Sequence, residues 1–172
     1  LSLHDALPIS FKDLVTDIVE EGHKVLVFSQ FVQMLHIIRS WLQINQTPFA
    51  YLDGSSKDRF EQVDRFNNTP EIPIFLISLK AGGTGLNLTS ADYVIHYDPW
   101  WNPAVENQAT DRTHRIGQKR QVFAYKLICS NTVEEKILKL QDMKKGVAEA
   151  IIPGQDAWKS LTRNDLEMLF EV

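Results

Sequence analysis

Three side chains on one predicted helix have the spacing and the chemistry to act on a polyphosphate. Gln108, Arg112 and Arg115 fall at positions i, i+4 and i+7, which places an amide and two guanidinium groups on one helix face. Arginine supplies planar, permanently charged donors, which suit a polyphosphate that is losing its γ-phosphoryl group. This pattern suggests arginine fingers. The alternative is a solvated face whose arginines pair with Glu106 and Asp111.

The local charge favours phosphate binding over that alternative. Residues 108–126 contain five Lys or Arg and one acid, whereas the whole chain of 172 residues has a formal net charge of −4. The overall charge argues against indiscriminate binding to nucleic acid. Any contact with DNA must therefore come from local basic patches such as this one.

A glycine-rich loop, KAGGTG at residues 80–85, follows a predicted strand. It is not a P-loop, because no Gly-Lys pair occurs in the chain, and it is not a dinucleotide fingerprint, because Leu88 replaces the third glycine. Taken alone, the loop is equally consistent with a turn that tightens a strand-to-helix connection.

Alternating strands and helices must position these groups. Short apolar runs predict strands at residues 24–29, 49–52, 74–77, 93–97 and 122–128, and most are continuously apolar, as strands buried on both faces should be. The apolar faces of two intervening helices are predicted to contain Phe31, Leu35, Ile38 and Leu42, and Phe60, Val63 and Phe66. The alternation predicts an α/β fold, a doubly wound parallel sheet flanked by helices.

Helix signals flank and complete this sheet. A helix is predicted at residues 11–21, before the first strand. Asn102 and Pro103 indicate the start of the arginine-bearing helix, and Gly117 its end. Thr132 and Glu135 predict a capping box that opens a last long helix. Its buried face is predicted to contain Val133, Ile137, Leu140 and Val147.

The loops that leave the strands should lie together, because ligands of such sheets collect at the carboxyl ends of the strands. These loops, at residues 29–31, 53–56, 80–85 and 98–103, carry small hydroxyl, amide or glycine groups. Exposed backbone N–H donors and short polar side chains suit a phosphodiester backbone or nucleotide phosphates.

Composition excludes several classes of protein. The single cysteine, Cys129, rules out an internal disulfide, and the five histidines show no ligand spacing, so we expect no metal site. No apolar run reaches the roughly 18 residues of a membrane span. A cytoplasmic protein with no membrane partner is the expectation.

Longer strings closely resemble the C-terminal helicase lobe of the Swi/Snf family, which are superfamily-two DNA translocases with a RecA-like fold. They are VLVFSQF (25–31), LDGSSKDRFEQVDRFN (52–67), LKAGGTGLNLTSADYVIHYDPWWNPAVENQATDRTHRIGQ (79–118) and VFAYKLICSNTVEEKILKLQ (122–141). Residues 98–103 and 114–118 distinguish this family from the RNA helicases, which are the alternative.

The resemblance implies a role for each matching position. Arg112 and Arg115 match the arginine fingers, and the implied nucleotide contacts are Gln108, Gly83 and Gly85. The implied contacts with DNA are Ser29, Gln30, Gly54, Lys80, Gly82, Thr84, Asn87 and Trp101. Asp53, Asp58 and Arg59 are expected to be structural, as is Trp100, and a packing role for Trp101 is the alternative to DNA contact.

The resemblance also implies a missing half. Swi/Snf motors bind ATP and Mg²⁺ through a first lobe with a P-loop and an Asp-Glu motif, and this chain contains neither Gly-Lys nor Asp-Glu. We therefore expect ATP with Mg²⁺ to be held mainly by the first RecA-like lobe of the same full-length protein, and the chain alone to be inactive as an ATPase. The alternative is a non-catalytic remnant that binds DNA or a protein partner.

The positions of these motifs predict three segments in the chain. Residues 1–10 are expected to be a foreign or artefactual leader, 11–130 the RecA-like lobe, and 131–172 a C-terminal helical extension that packs on it. Residues 161–170 resemble the small helical tail of bacterial members. The motif sequences resemble those of bacterial members of the family. We therefore expect a monomeric motor that acts on double-stranded DNA. It is expected to be cytoplasmic and associated with the nucleoid.

Overall fold

The computed structural model describes residues 7–82, 85–100, 102–111 and 121–148. Strands and helices alternate, as the sequence predicts. In chain order they are α1 (Ile9–Glu20), β1 (Val25–Ser29), α2 (Val32–Ile44), β2 (Phe49–Leu52), α3 (Arg59–Asn68), β3 (Ile74–Ser78), α4 (Leu79–Gly82), β4 (Tyr93–His96), α5 (Pro103–Thr110), β5 (Phe123–Lys126) and α6 (Val133–Ala148).

The five strands form one sheet in the order β2-β3-β1-β4-β5, and every neighbouring pair is parallel. In the central strand β1, Val27 lies beside Leu76 of β3 and Ile95 of β4. All residues of β1 and β3 are buried, as their continuous apolar runs predict. The same expectation is wrong for β5, an edge strand whose four residues are exposed.

Helices cover both faces of the sheet, which confirms the doubly wound prediction. One face is covered by α1 and α2, where Phe11 and Leu35 pack with Val27 and other residues of the inner strands. The opposite face is covered by α3, α4 and α5, where Phe66 and Ala109 pack with Phe28 and its neighbours. Each inner strand is therefore enclosed between two apolar layers.

The predicted helix faces are correct in the helix interiors and wrong at the first turns. Leu35, Ile38 and Leu42 of α2 and Phe66 of α3 are buried, with Val63 partly buried. By contrast, Phe31 is the exposed N-cap residue of α2, and Phe60 in the first turn of α3 is 88% exposed.

Helix ends follow local chemistry. Gly22 has a φ of +79° immediately after α1, and its N–H and that of His23 bond to the carbonyls of Val19 and Ile18. At the start of α5, the Asn102 side chain accepts a hydrogen bond from the Ala104 N–H at 3.0 Å, which confirms the predicted cap. The predicted helix end at Gly117 lies outside the described residues.

The N-cap of α6 is Thr132, as predicted, but the acidic side chain next to it forms a different hydrogen bond from the predicted one. The Thr132 hydroxyl accepts from the Glu134 N–H at 3.2 Å, and the Glu134 carboxylate accepts from the Cys129 N–H at 2.7 Å. Glu134 thus bonds to the N–H of Cys129 and not to that of the cap residue itself, so the described contacts show an N-cap at Thr132 without the predicted capping box with Glu135. Val133 is exposed rather than buried because it stands in the first turn. The side chains of Leu140 and Val147, and residues 161–170, lie outside the described part of the chain.

The first described residues belong to the fold. Leu7 is buried against α1, which begins at Ile9, so part of the segment predicted as a leader contributes to the core. The division of the chain into three segments stays a prediction. In the described ranges, no helix has the length and apolar character that crossing a membrane requires.

Candidate functional site

The predicted contact loops share one edge because all five strands run in the same direction. The strands β1, β2, β3 and β4 all end there, and the residues at or just after their ends include Ser29, Gln30, Gly54, Lys80 and Gly82. We call this side of the sheet the carboxyl edge. Gly83, Thr84, Trp101, Arg112 and Arg115 lie outside the described residues, and their roles stay predictions.

At the carboxyl edge, Asp98 joins the ends of β1 and β4. Its carboxylate accepts hydrogen bonds from the Ser29 hydroxyl and, at 2.8 Å, from the Gln30 N–H. The Gln30 side chain also donates to the Pro99 carbonyl at 3.3 Å. Ser29 is fully buried, so its hydroxyl is used inside the protein rather than presented to a ligand. Asp98 thus fixes the backbone on which Gln30 stands.

Sequence reasoning did not single out Asp98. It is buried, and burial raises the pKa of its carboxyl above the ordinary value despite the two hydrogen bonds that oppose the shift. An acidic residue just after an apolar strand is the sequence signal that could have identified Asp98. A carboxylate that is buried there needs hydrogen-bond donors nearby.

The loop after β2 is organised by Asp53 around the exposed Gly54. The Asp53 carboxylate accepts from the Ser55 hydroxyl at 2.7 Å, the Ser55 N–H at 2.8 Å, the Ser56 hydroxyl and the Tyr51 hydroxyl. The hydrogen bond from the Ser55 hydroxyl is the largest cause that lowers the pKa of Asp53 to about 2. Asp53 is therefore structural, as predicted, and leaves Gly54 accessible from solvent.

Within the glycine-rich loop, the predicted contact residues occupy different environments. Lys80 is exposed at the end of the short helix α4, and Gly85 is exposed with a φ of +50°. Gly82 is buried, and a Cβ at this position would lie 3.0 Å from Cε1 of Phe28. Asn87 is exposed, and its carbonyl accepts from Asn67 at 2.9 Å. Close packing is therefore sufficient reason for glycine at 82.

Arg59 connects two of these loops. Its guanidinium donates to the Ala81 carbonyl, so the start of α3 is tied to α4. The structural role predicted for Arg59 agrees with this contact.

The helix α5 presents Gln108 to solvent and turns Glu106 inward. Glu106 is 1% exposed, and its carboxylate pairs with Lys126 of β5 and accepts from the Trp100 N–H at 2.6 Å. The solvated-face alternative paired Glu106 with the arginines, but this carboxylate is occupied elsewhere. Glu106 was not identified as important from the sequence.

Two further contacts fix this region. Burial lowers the pKa of His96 to about 4, so its ring is neutral at physiological pH, and it shares a hydrogen bond of 3.1 Å with the Thr110 hydroxyl of α5. Trp100 packs partly buried against the core, as predicted, and its carbonyl accepts from Gln141 of α6.

The carboxyl edge therefore combines fixed backbone loops with exposed amide, ammonium and glycine positions. Such groups bind phosphates by hydrogen bonding and charge. In the described ranges, no group of three or more His, Cys, Asp or Glu side chains has a geometry that could hold a metal ion.

Residues 10–117 match the model of the helicase conserved C-terminal domain. The chain belongs to this family. Over 92% of its length it is 44% identical to the putative ATP-dependent helicase/translocase YwqA of Bacillus subtilis. Over 82% of its length it is 43% identical to the human chromatin-remodeling ATPase INO80.

Solved structures agree with these relatives. This helicase C-terminal domain is similar to the C-terminal part of the Fun30 ATPase domain, with a TM-score of 0.78 and 37% identity over 93% of this chain and 50% of the other. It is also similar to the SWI2/SNF2 ATPase core domain of Sulfolobus solfataricus, with a TM-score of 0.71 and 40% identity over 95% of this chain and 34% of the other. The predicted RecA-like fold and Swi/Snf membership are confirmed.

The domain corresponds to a small part of its relatives. It spans 17% of the length of YwqA and 9% of the length of human INO80. The activity and partners of a whole protein are therefore matters for proposal.

Proposed function

We propose that this domain is the second motor lobe of an ATP-dependent double-stranded DNA translocase. The observation that carries the proposal is the convergence of the strand-end loops on one edge of a RecA-like sheet, in a chain of the Swi/Snf family. The motor would act as a monomer on the DNA of a bacterial nucleoid in the cytoplasm. Similarity to a bacterial helicase/translocase supports this setting.

On the nucleotide side, Arg112 and Arg115 act as arginine fingers. They reach ATP with Mg²⁺, both held mainly by the first lobe, and Gln108, Gly83 and Gly85 lie near the nucleotide. When bound, ATP supplies a γ-phosphoryl group for transfer to water, and the guanidinium groups stabilise the charge that develops on it. Two features support this assignment: Gln108 is exposed on α5, and Glu106 is already paired with Lys126.

On the DNA side, the carboxyl edge holds the phosphates of one strand. Trp101 reaches the DNA on the partner strand. The full set of proposed contacts is Ser29, Gln30, Gly54, Lys80, Gly82, Thr84, Asn87 and Trp101. For Ser29 and Gly82, which are buried, the contact must come through the backbone or through the loop that each one shapes.

Movement along DNA follows from closure of the two lobes. Closure brings Arg112 and Arg115 to the nucleotide and tightens the strand-end loops on one DNA strand, and hydrolysis releases them. Because Asp98 joins Ser29 and Gln30 to the loop after β4, these loops move as one body during closure.

Removal of one arginine finger tests the nucleotide side. With the first lobe supplied, Arg115→Ala should reduce DNA-stimulated ATP turnover by about 10³-fold or more and leave ATP binding nearly unchanged. Arg65→Ala removes an equal charge from an exposed position on α3 and serves as the control. Turnover by Arg115→Ala at the rate of the unmodified protein would exclude a finger at this position.

Two substitutions test the DNA side in the same assay. Thr84→Ala and Trp101→Ala should weaken the stimulation of turnover by duplex DNA, because each removes a proposed DNA contact, while turnover without DNA stays the same. Equal stimulation in these variants would remove both residues from the interface. Stimulation by RNA in preference to duplex DNA would contradict the proposed substrate.

A further inference from the structure

Side chains from three different elements form a cluster at Trp100, whose peptide groups bond to two of them. Glu106 of α5, Lys126 of β5 and Gln141 of α6 form what we call the Glu106 cluster. Glu106 accepts from the Trp100 N–H at 2.6 Å, and Gln141 donates to the Trp100 carbonyl. Both backbone groups of Trp100 are therefore held by side chains.

The cluster is internally paired, and two of its members are buried, whereas the Lys126 side chain is 32% exposed. Glu106 and Gln141 are 1% and 2% exposed. Lys126 forms an ion pair with Glu106 and donates to the Gln141 side-chain oxygen at 3.4 Å. Removing one member leaves a buried polar group of another without its partner, which is costly. The three side chains must therefore keep one arrangement together.

The cluster lies between α6 and the segment predicted to contact DNA. Trp100 immediately precedes Trp101, and Glu106 precedes Gln108 on the same helix. We infer that Glu106 and Gln141 are positioning residues, through which α6 sets the placement of the segment that carries Trp101. This inference rests on the proposed function of Trp101 as a DNA contact.

Gln141→Met tests the inference, because methionine keeps the length of the side chain and removes both hydrogen bonds. Gln43→Met makes the same change at an exposed position of α2 and is the matched control. The affinity of the chain for a labelled duplex oligonucleotide is measured at low salt. We expect Gln141→Met to weaken it about three- to tenfold, as for the loss of one well-placed hydrogen bond, and Gln43→Met to leave it unchanged.

A double-mutant cycle separates this effect from general loosening of the fold. In a Trp101→Ala background, Gln141→Met should cause no further loss of affinity, since the residue that it positions is gone. The slope of affinity against salt should also stay the same, because the lost contact is not ionic. An additive loss in the Trp101→Ala background would overturn the inference.

Amide hydrogen exchange gives a measurement that needs no DNA. Gln141→Met should speed exchange at the Trp100 N–H, although that group bonds to Glu106 and not to Gln141. Faster exchange with unchanged DNA affinity would show that α6 holds the segment without influencing DNA, and would overturn the inference alone. Failure of the unmodified chain to bind the duplex would overturn the proposed function and this inference with it.

Discussion

Three buried carboxylates organise the carboxyl edge, each by a different means. Asp53 is stabilised by donors from its own loop, and Asp98 by donors from a strand far away in the sequence. Glu106 is neutralised by the ammonium group of Lys126. These side chains shape the edge and leave the exposed groups, such as Gln108 and Lys80, free to meet a ligand.

The lowered pKa of Asp53 predicts a pH dependence of stability. A carboxyl whose pKa falls to about 2 in the folded state, from an ordinary value of about 4, stabilises the fold above pH 4 and loses this contribution as the pH falls towards 2. Asp53→Asn should therefore lower the free energy of unfolding by about 1–3 kcal/mol at neutral pH, and by less at pH 3.

Urea unfolding at the two pH values checks this prediction. The control is Asp13→Asn, at an exposed position of α1. Its effect on the free energy of unfolding should be small at both pH values. An Asp53→Asn effect that is equal at neutral pH and at pH 3 would mean that the charge of Asp53 contributes nothing.

At the scale of elements, short helical turns and caps set the loops that follow the strands. The helix α4 is a single turn, and it packs directly on β1 through Gly82 and Phe28. The start of α3 is tied to α4 through Arg59. Loop geometry at the carboxyl edge therefore depends on contacts between elements as well as on turn residues.

Gly82→Ala should destabilise the domain by about 1–3 kcal/mol, because the new methyl group would lie 3.0 Å from the Phe28 ring in a filled core. Gly54→Ala is the control, since nothing lies within 4 Å of a Cβ at that position. Thermal or urea unfolding compares the two. Equal stability of both variants would show that the core at Phe28 accommodates the methyl group without cost.

The hydrogen bond between Glu134 and the Cys129 N–H stabilises the start of α6. Glu134→Ala should destabilise the domain by about 1 kcal/mol, because it removes the acceptor of the Cys129 N–H, whereas Glu135→Ala should have a smaller effect. The two acids lie in the same helical turn, so each controls for the loss of charge near the helix start. Equal losses would favour the dipole over the hydrogen bond.

For the whole molecule, the helices and the sheet form a core, and the proposed catalytic site takes only its arginine fingers from this chain. Both faces of the sheet are covered by helices, which bury the inner strands. The chain contains no Gly-Lys or Asp-Glu pair, the motifs that the proposed function assigns to the first lobe. The proposed arginine fingers therefore require a nucleotide that is held elsewhere.

The chain alone should hydrolyse no ATP above background, with or without duplex DNA. Adding the first lobe of the same protein should restore DNA-stimulated turnover, which Arg115→Ala then abolishes. Phosphate release is the measurement, and boiled protein provides the background. Turnover by the chain alone would show that it holds ATP by residues that the proposal leaves out.

The strands, their alternation with helices and the sheet edge where the strand-end loops meet could be predicted from the amino-acid sequence. Parallel strands buried on both faces require continuous apolar runs, which are visible without a structure, and the motif strings carried the family. The sequence also predicted the helix caps at Asn102 and Thr132, because a cap depends on residues only a few positions apart.

Which polar groups are used inside the protein could not be predicted from the sequence and is visible only in three dimensions. The Ser29 hydroxyl is consumed by Asp98, which is 69 positions away, and Glu106 pairs with Lys126 of a different element. The structure likewise showed that Phe31 and Phe60 are exposed. These contacts depend on which distant groups meet in space and compete for the same hydrogen bonds. The periodicity of the sequence does not show which groups meet.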